Sequence, residues 1–242
     1  MKYILGSAQF GSNYGIANKS GKVNFEEALK ILSTAKSFKI DTIDTARSYG
    51  NSENILGRIA NKNWKIITKI PKLESTHIGI DEWLNISFEE SKNNLKSESI
   101  HAILFHSSKD LFQHDRLLLQ KALESFKNKH EKIKIGVSVY HPEEVKKLNL
   151  IYPFDIYQMP INIFDKRFLS NELEDIKNKN NCEFHGRSVF LQGLLLMDKD
   201  SQYKLFPNHF EIWDKWHDYL SQNKISGIEA CMIFINKVNN ID

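Results

Sequence analysis

The sequence predicts an α/β fold: a TIM-type (β/α)8 barrel, incomplete at its C-terminal end, with about seven strand–helix units in a single domain over residues 1–242. Three observations carry this reading. Short β-prone runs alternate strictly with longer segments of helical periodicity, the pattern of a parallel sheet with helices outside it. The units recur at roughly 30 residues, the length of one strand–helix step. Three successive runs close on polar residues of complementary type: Thr42-Ile43-Asp44, Ile66-Ile67-Thr68-Lys69 and Ala102-Ile103-Leu104-Phe105-His106. The carboxyl ends of strands are where chemistry collects in parallel α/β folds. No Gly-x-Gly-x-x-Gly is present, which counts against a doubly wound dinucleotide-binding sheet. A closed barrel needs an eighth strand, and one is expected just where the sequence stops, at Asn239-Asn240-Ile241-Asp242. Strands one and seven are therefore each expected to expose an unpaired edge.

Tyr3 to Phe10 reads as the first strand, and the Gly-rich stretch from Gly11 to Gly21 as a loop. Asn24, with Glu27 three residues on, caps a helix whose Phe25, Ala28, Leu29, Leu32 and Ala35 form one apolar stripe. Thr42 to Asp44 is strand two, and Ser52 to Ile59 is a helix with Ile55, Leu56 and Ile59 at helical spacing. Trp64 to Lys69 is strand three, stopped by Pro71, and a helix beginning near Asp81 puts Leu84, Phe88, Ser91 and Leu95 on one side. Ile100 to His106 is strand four, followed by a helix carrying Leu118, Ala122 and Phe126. Ile133 to Val139 is strand five, and His141-Pro142 opens the next helix with proline in its first turn. Phe154 to Met159 is strand six, ended by Pro160; a helix around Leu173 and Ile176 leads to strand seven, Glu183 to Phe190. Past Gly193, the aromatic segment of Phe210, Ile212, Trp213 and Trp216 reads as a packed outer helix in preference to a lid or contact surface. Ser226 with Glu229 is a capping box opening a last helix through Ala230, Cys231, Phe234 and Val238.

Composition narrows the function classes. An apolar content of 41% and a charged content of 26% describe an ordinary globular protein. The net charge of +3 is small and spread out, and the Lys-rich patches at Lys127–Lys134 and Lys177–Lys179 read as solvated helix ends. Nucleic-acid binding is not expected from such a pattern. Cys182 and Cys231 are far apart with no CxxC spacing, so buried free thiols in a reducing compartment are expected. The segment Met1 to Gly6 is too short for a secretory signal, and no apolar run approaches the roughly 18 residues of a membrane span. A cytoplasmic location is the expectation.

Neighbouring strands lie about 4.8 Å apart, so Asp44, Tyr49 in the loop after strand two, Lys69 and His106 can converge on one pocket. A tyrosine loses its proton near pH ~10, and an adjacent ammonium is expected to lower that value. Aspartate beside the lysine keeps the ammonium charged, and a neutral imidazole can donate to a carbonyl oxygen as charge develops there. The set suits reduction of an aldehyde or ketone, with tyrosine delivering the proton and a nicotinamide cofactor supplying hydride. Each residue alone has a simpler role: Asp44 as a helix cap, Tyr49 as a cover over the barrel mouth, His106 as a hydrogen-bonded core residue. A metal-dependent hydrolase using Asp44, His106 and His185 or Glu53 is an alternative, but no His-x-His or HExxH pair supports it.

With these residues assembled, the sequence resembles the aldo-keto reductase superfamily along nearly its whole length. Leu5 to Gly11, Asp41-Thr42-Ile43-Asp44-Thr45-Ala46 with Tyr49-Gly50-Asn51-Ser52-Glu53, Thr68-Lys69 and Leu104-Phe105-His106 match its motifs in order. The resemblance implies Asp44, Tyr49, Lys69 and His106 as a catalytic tetrad, with Tyr49 as general acid/base, NADPH (NADP+) as cofactor, a small-molecule carbonyl substrate and no metal. It further implies that Ser138 and Gln158 hold the nicotinamide carboxamide, and that Arg187 and Ser188 belong to a strand-seven motif lying along the nicotinamide and pyrophosphate. Satisfied strand-end polar groups are the simpler reading of Ser138 and Gln158. Val139 departs from the Asn found here in many members, and the family's eighth unit, which usually grips the adenosine 2′-phosphate, is absent. A non-catalytic relative is thus a further alternative. Specificity is expected to lie in the loops Phe10–Tyr14, Lys72–His77 and Met197–Phe210.

Overall fold

Runs rich in Ile, Leu, Val and Phe, with few polar breaks, form strands buried on both faces, as a parallel sheet under helices requires. The computed structural model describes residues 2–60, 63–72, 78–96 and 100–242, so most of the Lys72–His77 loop lies outside the described residues. In chain order the elements are β1 Leu5–Gly6, α1 Ala8–Gly11, α2 Phe25–Ser37, β2 Thr42–Asp44, α3 Ser52–Ile59, β3 Lys65–Ile70, α4 Ile80–Leu95 and β4 Ile100–Phe105. Then come α5 Ser108–Leu111, α6 Arg116–Lys129, β5 Lys134–Ser138, α7 Pro142–Asn149, β6 Ile156–Pro160, α8 Asn171–Asn180 and β7 Glu183–Arg187. A 3-10 segment, Leu191–Leu196, precedes α9 Lys199–Leu205, α10 Phe210–Asn223 and α11 Gly227–Asn236. Among the described residues the seven strands make one parallel sheet in the order β1 to β7, an open, curled half-barrel. Among the described residues, no helix is long and apolar enough to cross a membrane.

Helices start and stop where the local chemistry directs. The Asn24 side chain accepts from the Glu27 N–H at 2.9 Å at the start of α2. Ser226 and Glu229 form the reciprocal capping box of α11. One large core lies between the sheet and its helices; Ile67, Ala102, Leu104 and Ile156 form a second cluster with Ile4 packed against it. Trp213 and Trp216 of α10 are buried with Leu194, Leu195, Ala230 and Cys231, which bears out the packed outer helix for these two, while Phe210 and Ile212 are exposed. Both cysteines are buried and free.

Five expectations about the fold need correction. The first strand is two residues long, because Ser7 turns its N–H and hydroxyl onto the Asp44 carbonyl (both 2.9 Å) and Ala8–Gly11 then coils into a helical turn. Strand seven stops at Arg187, because Ser188 adopts a left-handed φ of 60°. In α6, Leu118 is 61% exposed, and the buried face is Leu119, Ala122, Leu123 and Phe126. The Asp115 side chain accepts the N–H groups of Leu117 and Leu118 at the start of the helix, and packing turns Leu119 inward where the sequence suggests Leu118. Leu29 of α2 is likewise exposed.

The outer edge of β7 is also not bare. The Asp242 N–H donates to the Phe184 carbonyl at 3.0 Å, and the Asp242 carboxylate accepts the Phe184 N–H at 2.8 Å. Lys177 holds this tail through Asp242 at 2.9 Å and the Asn240 carbonyl at 3.2 Å. From the other side of the opening, the Tyr3 hydroxyl donates to Asn236 of α11 at 2.7 Å.

Candidate active site

Asp44 is the last residue of β2, Lys69 the penultimate residue of β3, and His106 follows β4 directly. Parallel pairing of β2, β3 and β4 brings these ends together. The loop carrying Tyr49 is stitched down on both sides. Thr45 N–H bonds the Ile67 carbonyl at 2.8 Å, Arg47 N–H the Lys69 carbonyl at 3.3 Å, and Tyr49 N–H the Ala46 carbonyl at 3.1 Å. Gly11 lies so close beneath that a Cβ there would overlap the Tyr49 carbonyl oxygen and the Ser52 nitrogen. Gly50 turns the chain at φ +57°, facing the Gly11 backbone. Ser52 bonds Ser7 and Thr45 at 2.9 Å and 3.1 Å. Buried Glu53 accepts from Thr68 at 2.6 Å and Asn94 at 3.0 Å, tying α3 to β3 and α4.

Lys69 is 1% exposed. Its ammonium bonds both Asp44 carboxylate oxygens, donates to the Thr45 carbonyl at 3.0 Å, and lies 3.5 Å from the Tyr49 hydroxyl. Burial lowers the Lys69 pKa, and Asp44 opposes that by stabilising the charged form. The Tyr49 pKa moves opposite to expectation. Burial raises it and the Asp44 charge adds to the rise, with Arg187 partly opposing. The physical reason is that burial strips a phenolate of its solvation and the Asp44 carboxylate repels it. Tyr49 is therefore held as the protonated phenol. Burial, followed by the Lys69 charge, lowers the His106 pKa to about 4, so its imidazole is neutral near pH 7. The Tyr49 and His106 rings meet edge-on with centroids 5.8 Å apart, and the Ser48 hydroxyl lies 2.9 Å from His106 Nδ1.

Of the remaining sequence-nominated residues, Ser138 and Arg187 end β5 and β7, Ser188 follows β7, and Gln158 lies in the middle of β6. Gln158 Nε2 donates to Asp44 Oδ1 at 3.0 Å. Arg187 donates to the Ser138 hydroxyl and the Ser188 hydroxyl at 3.3 Å each and to the Val139 carbonyl at 3.2 Å. Its guanidinium lies 4.4 Å over the Tyr140 ring. After Arg187 the backbone is left-handed at Ser188, Leu191, Gln192 and Gly193, a concentration of strain typical of functional loops. A cleft of about 700 Å³ opens beside His106 and Ser48, with Lys72, Lys109, Tyr140 and His141 in its walls. Sequence reasoning missed Ser48, Tyr140 and Tyr14, whose phenol feels the Arg187 and Asp44 charges. Adjacency to Tyr49 was the one available signal for Ser48, and adjacency to strand five for Tyr140. Of the hydrolase candidates, His185 bonds Glu183 at 2.9 Å and Glu53 is spent on Thr68 and Asn94. Among the described residues no group of three or more His, Cys, Asp or Glu is placed to hold a metal ion.

A parallel strand–helix half-barrel with a polar layer at its carboxyl ends, centred on a buried lysine, defines a class of α/β-barrel protein. Residues 2–240 match the aldo/keto reductase family, and the chain belongs to it. It is 26% identical over 209 residues to the oxidoreductase sirO of Leptosphaeria maculans, an alignment covering 80% of this chain and 60% of that protein. The chain thus spans less than two thirds of that curated relative. Its fold is similar to the glycerol dehydrogenase AKR11B4 from Gluconobacter oxydans, with 20% identity, coverage of 98% of this chain and 80% of that one, and a TM-score of 0.71. It is also similar to the aldo-keto reductase AKR11C1 from Bacillus halodurans in its holo form, with 16% identity, 81% and 65% coverage, and a TM-score of 0.65.

Proposed function

We propose that this protein is an NADPH-dependent oxidoreductase that reduces a small aldehyde or ketone to an alcohol, with Tyr49 as proton donor. The observation that carries this reading is the placement of the buried Lys69 ammonium, in contact at once with Asp44, the Thr45 carbonyl and the Tyr49 hydroxyl. A buried ammonium is costly to keep, and here one of its neighbours is a phenol whose ring meets that of His106, a residue of the cleft wall. Tyr49 carries the proton to be given away, and Lys69 offers positive charge to the phenolate left behind. His106 is uncharged, so one of its ring nitrogens can donate to the carbonyl oxygen and steady the negative charge that builds there. Asp44 keeps Lys69 protonated and in place.

The residues at β5 to β7 suit a nicotinamide cofactor, which when bound supplies the hydride. Ser138 and Gln158 offer a hydroxyl and an amide on adjacent strands, in register with each other. Arg187 brings a cation next to both Ser138 and Ser188. One observation favours a second reading, a relative that does not turn over: the Gln158 amide already donates to Asp44, and Ser138 already accepts from Arg187. Binding a carboxamide there has to use the groups still left, the Ser138 O–H and the Gln158 Oε1, or exchange those bonds.

The test is NADPH oxidation with a panel of aldehydes, ketones and sugars, comparing the native protein with Tyr49→Phe, alongside NADPH binding by fluorescence. The variant is expected to bind cofactor about equally and to lose roughly 10²–10⁴-fold in rate. Full turnover by Tyr49→Phe overturns the assignment, and NADPH binding without turnover by the native chain supports the second reading.

A further inference from the structure

His106 has one hydrogen-bond partner among the described residues, and it is the hydroxyl of Ser48, 2.9 Å from Nδ1. A neutral imidazole carries a single N–H, and the bond made by one nitrogen decides which nitrogen holds the proton. If Nδ1 holds it, Nε2 presents a lone pair to an incoming carbonyl oxygen, and two lone pairs face each other. If Ser48 donates to Nδ1, the proton sits on Nε2 and that nitrogen becomes the donor. We propose that Ser48 is a positioning residue: its hydroxyl donates to His106 Nδ1 and fixes the Nε2–H tautomer that polarises the substrate carbonyl. This rests on the carbonyl-reductase reading for its consequence in catalysis, though not for the tautomer itself.

Two further features of the site make the tautomer matter. Burial and the cations Lys69 and Arg187 act together against an imidazolium, with Asp44 the opposing charge. His106 therefore has no doubly protonated form near neutral pH in which either nitrogen could donate. The same short turn also carries both groups. Tyr49 N–H bonds the Ala46 carbonyl at 3.1 Å, and Arg47 is pinned to β3 through its N–H and to Glu90 through its guanidinium. The turn thus brings the phenol near Lys69 and the adjacent hydroxyl onto the imidazole. Ser48 is exposed at the cleft wall, so its replacement by alanine would admit a water able to make the same bond. Valine and threonine, nearly equal in shape, differ at this position only in the hydroxyl.

The experiment is long-range ¹H–¹⁵N NMR of the histidine side chains at pH 7 in the native protein, Ser48→Thr and Ser48→Val, with His106→Gln used to assign the resonance. The native protein and Ser48→Thr are expected to show His106 protonated on Nε2, and Ser48→Val a mixture of tautomers. Kinetically, Ser48→Val is expected to lose roughly tenfold in kcat with KM little changed, and Ser48→Thr to keep its rate. An Nδ1–H signal in the native protein overturns the proposal, as does a Ser48→Val spectrum identical to the native one. Because the NMR needs no substrate, a native protein that reduces no carbonyl yet shows the Nε2–H signal counts against the proposed function and leaves the tautomer assignment standing.

Discussion

The Lys69–Asp44 pair is where the reasoning about this site is most exposed to test. Asp44→Asn keeps the shape but removes the charge opposite an ammonium that is 1% exposed. The ammonium then retains only neutral partners, the Thr45 carbonyl at 3.0 Å and the Tyr49 hydroxyl at 3.5 Å. Breaking a buried ion pair from one side costs about 3–5 kcal/mol. The surviving carbonyl places the expected loss near the lower bound, about 3 kcal/mol, or roughly 10 °C in Tm for a chain of this size. The loss must also depend on pH. The native-state pKa of Lys69 is already below its ordinary value and falls further without Asp44. Between that lowered value and the unfolded value of about 10.4, the unfolded chain binds more protons, so stability rises with pH. Asp44→Asn should therefore recover stability as pH climbs toward 10, and more steeply than the native protein. The double variant Asp44→Asn/Lys69→Met removes both charges and should lie within about 1 kcal/mol of native at pH 7. Urea unfolding followed by fluorescence of the buried tryptophans Trp64, Trp83, Trp213 and Trp216 reads all of this. An Asp44→Asn protein as stable as native at pH 7, a deficit that does not shrink at alkaline pH, or a double variant that loses more than Asp44→Asn alone would refute it.

Two other consequences follow from the same geometry. Gly11→Ala sets a methyl group against the Tyr49 carbonyl and the Ser52 nitrogen, both backbone atoms that cannot swing aside. A loss of about 2 kcal/mol or more is expected, together with lower turnover from a displaced Tyr49, measured by Tm and NADPH oxidation; unchanged values in both would mean the loop does not rest on Gly11. The second concerns acid. His106 is depressed from 6.5 to about 4 in the fold, so between those values the unfolded chain binds the extra proton. Its stabilising contribution is whole above about pH 6.5 and drains away as pH falls toward 4, by about 2 kcal/mol after discounting for partial exposure. An NMR titration of His106 with its midpoint near 6.5 would contradict this.

Legibility in the sequence followed the range of the interactions involved. Strand–helix alternation, the caps at Asn24 and Ser226, and the residues at the ends of β2, β3 and β4 were readable because each is fixed by neighbours along the chain. Leu118 was misread for a tertiary reason: 118, 122 and 126 fit a helical stripe, but so do 119, 122, 123 and 126, and only packing against the sheet selects the second. The two-residue β1 could not be foreseen from Tyr3 to Phe10, because what ends it is Ser7 bonding to Asp44, 37 residues away. The direction of the Tyr49 shift was misjudged because a lysine beside a tyrosine was weighed without the burial of the phenol and the charge of Asp44.

The site also divides unevenly across the sheet, and this sets what each half depends on. Asp44, Lys69 and His106 stand at the ends of β2, β3 and β4, and β2 to β4 each have a partner strand on both sides. Arg187 and Ser188 stand at the end of β7, whose outer side is held by a tail through the Phe184 amide and carbonyl. Internal strands are clamped by two ladders, so Asp44, Lys69 and His106 inherit the rigidity of the middle of the sheet. The groups suited to a cofactor are carried partly on an edge, where hydrogen bonds open most readily. Bonds such as Arg187 to Ser138 and Gln158 to Asp44 link the two halves across β5 and β6. Any ligand that displaces them must compete with contacts that now hold β5 to β7 and β6 to Asp44. The order of the edge and the occupancy of the site are therefore one coupled equilibrium.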